Sequence, residues 1–557
     1  MTGAGGPAGA NDPTGLEWAT EDLLARRTAT TPERTALIDA DEGTRYSYGE
    51  LDRAVDALLE RLPGQPGDRL GVVLTTRPAF VTLLFAAMRG KRTLVLLNVR
   101  ETAEELRSKA TRANTFALIC EDETEGLARD IGDGSVLIYS VDGERGGNDS
   151  SLLASLASLV SLEPNAGRDR SLESSAGRDP ALESESGTGG ETNRTTELAD
   201  SDGHSGENDL LVVFTSGTTG EPKGVRLTTR NLVSSATASA FRLGVDPDDR
   251  WLCCLPMYHV GGLAPVFRSA LYGTAVVLQR EFEPDATART MESHDVTGVS
   301  LVPTMLSRLL EADWRPPASL RFVLLGGAPA SPDLIDRCGR CGVPACPTYG
   351  MTETASQIAT ATPEEAVAHE GTVGRPLVCT EVTILGDDGD PVEAGETGEI
   401  VVSGPTVTPG YLEAERTRAA FDERGLHTGD LGRRDQDGRL WILDRQSDRI
   451  VTGGENVDPT AVAAVLEDHP AVSAAAVVGL SDEEWGERVG ALVVASSGGE
   501  IEPHALRAYC RDRLAGFKCP KTIGIASSLP RTHSGTVDRE QVRARLEETG
   551  VDVSSGR

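Results

Sequence analysis

Ten residues, TSGTTGEPKG at 215–224, place four hydroxyls, three glycines and one lysine directly after the apolar run 210–214. Glycine lets a backbone approach a polyphosphate closely, and backbone N–H groups and Ser/Thr hydroxyls donate hydrogen bonds to its oxygens. Thr215, Ser216, Gly217, Thr218, Thr219 and Gly220 therefore read as a phosphate cradle, to which Lys223 adds a mobile positive charge. The spacing is not G-x-x-x-x-G-K-[ST], so this is not a Walker A loop.

Such residues need a scaffold that presents loops. Residues 16–140 alternate apolar runs (70–74, 93–97) with helix-like stretches (48–61), a rhythm that predicts α/β layers around parallel strands. Apolar runs resume at 210–214, 276–278, 298–302 and 321–325, each followed by Gly, Pro or Ser-rich turns. Loops after such strands are where α/β proteins bind ligands. Residues 380–443 switch to short alternating segments separated by Gly and Asp turns, which predicts a β-rich subdomain. Beyond Arg445 come a helix-like stretch (459–466), two strands (474–479 and 491–495) and a second helix (503–514), the pattern of a compact α+β unit. The expected class is α/β, with a large N-terminal domain of several subdomains (residues 1–444) and a small C-terminal domain (445–557). Residues 142–208 turn to Gly, Ser, Asp and Glu and carry a near repeat, SLEPNAGRDR then SLESSAGRDP at 161–180. Such a segment buries too little apolar area to offset its ordering entropy and is expected to be a disordered surface insertion.

Composition narrows the function. The 557 residues exceed the size at which a single core stops growing. The formal charge is −32, and 49 of the 54 basic residues are Arg, only five being Lys. No basic stripe is present, which argues against nucleic acid and against anionic membranes as partners. Acid excess with scarce Lys and few large aromatics suits a protein kept soluble in concentrated salt, where the Debye length falls to about 3 Å. The first 20 residues have no signal-peptide core, and no run approaches the ~18 apolar residues of a membrane span, so a cytoplasmic protein is expected. Nine cysteines without a secretory signal fit reduced thiols. Cys338, Cys341 and Cys346 cluster, but three sulfurs with no nearby His read as packing thiols rather than a zinc site.

Taken together, TSGTTGEPKG, YGMTET, the triplet Thr428, Gly429 and Asp430, and Arg445 follow one another as the motifs of the acyl-CoA synthetases, peptide-synthetase adenylation domains and firefly-type luciferases do. The sequence resembles this adenylate-forming superfamily over about 500 residues. The resemblance implies ATP and Mg2+ as cofactors and coenzyme A as co-substrate. It implies that Tyr349 packs near adenine, that Thr352 meets the α-phosphate, that Glu353 helps hold Mg2+, and that Asp430 and Arg445 reach the ribose. Gly326, Gly327 and Ala328 resemble the adenine-side loop. Ser447 falls where relatives pivot a mobile C-terminal domain, a hinge that absorbs backbone rotation. Gly454, in TGGENV, resembles the loop that lines a pantetheine tunnel.

The segments LPMYHVGGL (255–263) and VFRSALYGTAVVL (266–278) most resemble, within the superfamily, the 2-succinylbenzoate:CoA ligases of menaquinone biosynthesis. Such a substrate carries a second, aromatic carboxylate, which Arg268 can hold in a charge-assisted, bidentate bond. His259 is expected near the reacting carboxylate, and Thr304 is a further pocket candidate. The reading leaves open a ligase for another aryl or acyl acid, a nucleotide-binding protein without turnover, and a homo-oligomer.

One departure touches catalysis. In LPRTHSGTVDR (529–539) this chain has Thr536 where the superfamily has a lysine that bridges carboxylate and α-phosphate. Losing one such contact can cost about 10²- to 10³-fold in rate. A slow ligase, compensation by Lys518 or Lys521, and loss of adenylation all remain open. The charge balance yields the first prediction: the thermal midpoint rises between about 0.1 M and molar KCl as repulsion among surface carboxylates is screened. A midpoint that does not rise with salt removes the salt-adapted reading.

Overall fold

Runs of four or five apolar residues, buried on both faces, take the centres of two largely parallel sheets, as strands covered by helices must. The computed structural model describes residues 22–142, 153–155, 209–215, 222–445, 450–452, 455–457, 459–482, 485–496, 501–514, 516–532 and 537–554. The first sheet has eight strands in the spatial order Gly410–Tyr411, Lys223–Thr228, Asp209–Thr215, Thr93–Leu96, Arg69–Val73, Ala117–Cys120, Leu137–Ser140 and Leu153–Ser155. The second has nine, in the order Arg375–Pro376, Ala359–Thr360, Ala345–Tyr349, Phe322–Leu325, Gly298–Leu301, Arg250–Cys253, Ala275–Leu278, Thr35–Asp39 and Thr44–Ser47. Their central strands run parallel, and antiparallel pairing is confined to the edges.

The strand Leu153–Ser155 lies inside the segment 142–208. It pairs in parallel with Leu137–Ser140 at the sheet edge. The run SLLASLASLV at 151–160 is apolar and escapes the compositional argument that covers its Gly- and Ser-rich surroundings. The rest of that insertion, 143–152 and 156–208, lies outside the described residues.

Residues 380–445 form an antiparallel five-stranded sheet (Glu381–Leu385, Thr397–Ser403, Phe421–Asp422, Gly425–Arg434, Leu440–Arg445) with its own core of Val382, Ile384, Ile400 and Val402. After residue 450 a six-stranded sheet, dominated by the hairpin Val472–Asp482 with Gly486–Ala495, packs the helices Pro459–Glu467, Pro503–Arg511 and Arg539–Thr549. Its core includes Val462, Leu466, Val493, Leu506 and Ile523.

Polar pins fix the helix that carries Arg268, Val260–Tyr272. The hydroxyl of buried Tyr48 sits between the carbonyls of Ser269 (2.8 Å) and Thr274 (2.7 Å), and Arg27 Nε donates to Ala270 O at 3.2 Å. Arg89, at the end of the helix Pro78–Arg89, gathers Asp22, Asp52 and Asp56 from two neighbouring helices.

In the nine-stranded sheet the register sets Gly298 between Trp251 on one side and Phe322 on the other. With no side chain between them, the two rings meet edge to face at 4.8 Å between centroids. A Cβ on Gly298 would lie 2.2 Å from Phe322 Cζ. Gly298→Ala is therefore expected to lower stability by about 1–3 kcal/mol through overpacking, read as a lower urea midpoint at unchanged m, with Phe322→Leu in the same chain recovering most of the loss. An unchanged midpoint would show that this ring contact does not set the spacing.

Candidate active site

The carboxyl ends of the parallel strands collect the residues singled out in the sequence. Thr215 ends Asp209–Thr215, His259 and Arg268 follow Arg250–Cys253, Thr304 follows Gly298–Leu301, Gly326–Ala328 follow Phe322–Leu325, and Tyr349 ends Ala345–Tyr349. That edge is the crevice where open α/β sheets take their ligands.

On the phosphate side, Thr215 and Lys223 face each other across the antiparallel pair Asp209–Thr215 and Lys223–Thr228. Lys223 Nζ lies over the Tyr411 ring at 5.5 Å. The Tyr411 hydroxyl donates to Glu353 Oε1 at 3.0 Å, and Thr408 N–H donates to Glu353 O at 2.7 Å. Tyr411 thus joins the lysine of the first motif to the carboxylate of the second. Burial beside Glu353 pushes its phenol well above the usual range, so it stays a donor. Glu353 is only 6% exposed. No cluster of three or more His, Cys, Asp or Glu exists among the described residues. A single buried carboxylate suits Mg2+, which is held by one or two carboxylates together with substrate phosphates rather than by an all-protein cage.

On the nucleoside side, Tyr349 Oη donates to Asp430 Oδ2 at 2.6 Å. The expected adenine neighbour and the expected ribose carboxylate are therefore in direct contact. The Asp430 N–H donates to Thr428 Oγ1 at 3.1 Å, and Asp430 pairs with Arg445 across Gly425–Arg434 and Leu440–Arg445. Gly327 takes a positive φ of 79°, and a Cβ on Gly326 would lie 2.7 Å from Thr348 Cγ2, so this loop needs both glycines. Thr352 opens a one-turn 3-10 helix, Thr352–Thr354, that carries Glu353. Ser216, Gly217, Thr218, Thr219, Gly220, Ser447, Gly454 and Thr536 lie outside the described residues, as does the Arg445 side chain.

On the acid side, Arg268 is 1% exposed and no carboxylate pairs with it among the described residues. One nitrogen, Nη2, donates to Gln357 Oε1 at 2.6 Å and lies 3.4 Å from Ser356 Oγ. The guanidinium stacks over Trp251 at 4.7 Å, while Nε and Nη1 are buried with no hydrogen-bond partner. Burial lowers its pKa to about 10, which leaves it charged at neutral pH. His259 caps the same helix, its ring edge to face with Tyr258 at 4.8 Å. Burial, with Lys109 and Arg100 adding like charge, lowers its pKa to about 4, so the imidazole is neutral. Thr304 is exposed on the first turn of Pro303–Glu311.

Comparison with known proteins accords with this arrangement. A family model described as AMP-binding enzyme matches residues 24–412, and one described as AMP-binding enzyme C-terminal domain matches 461–536. The chain belongs to the AMP-binding enzyme family. It is 35% identical over 527 residues to a 2-succinylbenzoate--CoA ligase of Bacillus pumilus, covering 94% of this chain and 97% of that one. It is 36% identical over 524 residues to the ligase of the same name from Bacillus velezensis, covering 93% and 96%. Among solved structures it resembles o-succinylbenzoate CoA synthetase from Bacillus subtilis in complex with the acyl-adenylate intermediate OSB-AMP, with a TM-score of 0.78, 33% identity and coverage of 94% and 98%. The same synthetase with ATP and a magnesium ion gives a TM-score of 0.77 at 33% identity, with coverage of 94% and 99%.

The structure adds partners that no motif announced. Tyr411 sits in an unremarkable GY pair, and only its pairing with Val225 across the sheet edge brings it to Lys223. Gln357 follows the YGMTET run by three residues, yet only the strand pairing of Tyr349 with Ala359 turns it toward Arg268. His427, three residues before Asp430, bridges two carboxylates: Nδ1 is 2.9 Å from Glu399 Oε2 and Nε2 is 3.3 Å from Asp422 Oδ2. The other oxygen of Glu399 accepts from Gly429 N–H at 3.2 Å, so this bridge holds the backbone beside Asp430.

Desolvation alone would lower the His427 pKa, but the bonds to Glu399 and Asp422 outweigh it and the net shift is upward. The folded state thus favours the imidazolium. Its contribution is fully present below the unfolded value near 6.5 and is lost as pH rises through the higher folded value. Between about pH 6 and 8 the unfolding free energy of the wild type should fall more steeply than that of His427→Gln. Parallel curves from denaturant titrations would show that the bridge carries no net charge coupling.

Proposed function

We propose that this chain converts 2-succinylbenzoate to 2-succinylbenzoyl-CoA, a step of menaquinone biosynthesis, through an acyl-adenylate. The observation that carries the reading is the buried, unpaired guanidinium of Arg268. A charge taken out of water with only neutral partners costs several kcal/mol, and a ligand carboxylate offsets that cost. 2-Succinylbenzoate has two carboxylates: the ring carboxylate meets Arg268 and the succinyl carboxylate is left for ATP.

In the first half-reaction the succinyl carboxylate oxygen attacks the α-phosphorus of ATP, the bond from that phosphorus to the bridging oxygen breaks, and pyrophosphate leaves. The segment after Thr215 and the Lys223 ammonium hold phosphate oxygens, and Asp430 and Tyr349 orient the nucleoside; Glu353 would hold Mg2+, which would supply charge neutralisation at the phosphates. Neutral His259 can donate to or accept from the reacting carboxylate without the repulsion or over-tight pairing of a charged group. Positioning and electrostatics thus supply most of the catalysis. In the second half-reaction the CoA thiolate attacks the acyl carbon and AMP leaves, with the domain beyond residue 444 turning at Ser447 and Gly454 lining the pantetheine path. This division at 444/445 and a cytoplasmic, salt-adapted setting belong to the same reading. No helix among the described residues is long and apolar enough to cross a membrane.

Thr536 stands in place of a lysine, and Lys518 and Lys521 are the nearest lysines in sequence. Both lie over aromatic rings, Lys518 over Phe517 at 5.8 Å and Lys521 over Trp485 at 4.1 Å.

Incubating the full chain with 2-succinylbenzoate, Mg·ATP and CoA in molar KCl should give the thioester by mass. Arg268→Met should lower kcat/KM for this acid by about 10²-fold or more, the cost of removing one partner of a buried charged pair. Turnover of other acids but not this one would move the function to another acyl-CoA ligase. No thioester with any acid would leave a nucleotide-binding protein without turnover.

A further inference from the structure

An arginine buried this deeply normally finds a carboxylate, because an internal ion pair repays part of the desolvation. Here the residue within reach is Gln357, itself 1% exposed, whose Oε1 accepts from Arg268 Nη2. An amide oxygen orients a guanidinium as a carboxylate would, but it leaves the positive charge uncancelled.

The direction of that amide follows from a chain of hydroxyls. Thr348 Oγ1 donates to the main-chain carbonyl of Ala359 at 2.9 Å, and a carbonyl can only accept. The Thr348 hydroxyl has one proton, so toward Thr360 Oγ1, 2.8 Å away, it must accept. Thr360 has then spent its proton, and toward Gln357 Nε2, at 2.7 Å, it must accept in turn. The amide nitrogen is therefore committed to Thr360 and the amide oxygen to Arg268. The relay lies on the cross-strand pair Thr348 and Thr360, at the base of the hairpin that also carries Thr352 and Glu353. The turn reaches Gln357 through two residues with positive φ, Ala355 at 51° and Ser356 at 125°, held by Ser235 Oγ donating to Ala355 O at 2.9 Å. It is tolerated because Gly350 has no side chain: a Cβ there would lie 1.7 Å from Ser356 O.

We propose that Gln357 is a specificity-determining residue: a neutral amide, polarised by the Thr348–Thr360 relay, that fixes Arg268 without discharging it, so that the pocket selects acids carrying a second carboxylate. This rests on the reading of Arg268 as the receptor for that carboxylate. A glutamate at 357 would supply the missing anion from within. The guanidinium would then be paired before substrate arrives, and the second carboxylate of an incoming acid would meet a neutral, occupied site.

The test compares two acids, 2-succinylbenzoate and its analogue with hydrogen in place of the ring carboxylate, by ATP–pyrophosphate exchange with the full-length protein. The quantity read is the ratio of their kcat/KM values. Gln357→Glu is expected to reduce the wild-type ratio by about 100-fold, comparable to the loss of one buried charged contact. Thr360→Val, which keeps the shape of the strand and removes only the relay hydroxyl, is expected to reduce it by about 10-fold through freeing the amide to turn. It decides the matter if the glutamate variant does not fold. A ratio that Arg268→Met leaves at the wild-type value defeats the receptor reading itself. A ratio lost in Arg268→Met but kept in both Gln357→Glu and Thr360→Val overturns the role of Gln357 alone.

Discussion

The constraint on which the site depends is that a positive charge must stay buried without a built-in partner. Arg268 meets it through shape. Trp251 lies under the guanidinium, and a desolvated cation–π contact is worth about 2 kcal/mol. Trp251 is seated in turn by Phe322, which reaches it only because residue 298 is glycine, and by its own Nε1–H, which donates to Ser300 Oγ at 3.1 Å. The helix backbone around Arg268 is pinned by Tyr48 and Arg27 from the chain's first helices. None of these contacts cancels the charge. Together they hold a guanidinium in an environment where its attraction for an anion is strong, because little water remains to screen it.

The second organising feature is that residues proposed for the acid and for the nucleotide share one short hairpin. Tyr349 and Ala359 are paired, and between them fall Thr352, Glu353, Ser356 and Gln357. Glu353 is tied outward to Tyr411, under Lys223, and Gln357 is tied to Arg268. A shift in the hairpin would therefore move Glu353 and the Gln357 contact to Arg268 together. Fixing reactants relative to one another is the larger part of what such an enzyme contributes when the chemistry is a phosphoryl-centred displacement.

The parallel strands were legible because their apolar runs are continuous. The runs predicted at 70–74, 93–97, 210–214 and 298–302 appear as Arg69–Val73, Thr93–Leu96, Asp209–Thr215 and Gly298–Leu301. Candidate site residues that lie in contiguous motifs, such as Lys223, Glu353 and Asp430, could be named from sequence because each motif is one stretch of chain. Tyr411, Gln357 and Trp251 were not, because each acquires its role from a partner outside its own stretch of chain: Tyr411 from Glu353 and Lys223, 58 and 188 positions away, and Gln357 and Trp251 from Arg268 on the helix Val260–Tyr272. Leu153–Ser155 was hidden by averaging over an insertion whose composition is not uniform. Arg268 could be named from its segment but not weighed there, since one arginine among 49 carries no sign of burial.

Charge composition and site geometry meet in the lysines. Four of the five place their ammonium over an aromatic ring: Lys109 over Phe214, Lys223 over Tyr411, Lys518 over Phe517 and Lys521 over Trp485. The fifth, Lys91, sits in a turn with φ of 52°. Arginine serves elsewhere, in multi-acid pairs such as Arg77 with Glu121 and Asp142. A guanidinium is planar and weakly hydrated and suits several carboxylates at once, whereas an ammonium is a compact point charge on a flexible stem. An ammonium of that kind suits a position where a mobile point charge is needed or where a ring can hold it. Lys223, over the Tyr411 ring, meets the second condition, and the phosphate-binding role proposed for it would use the first.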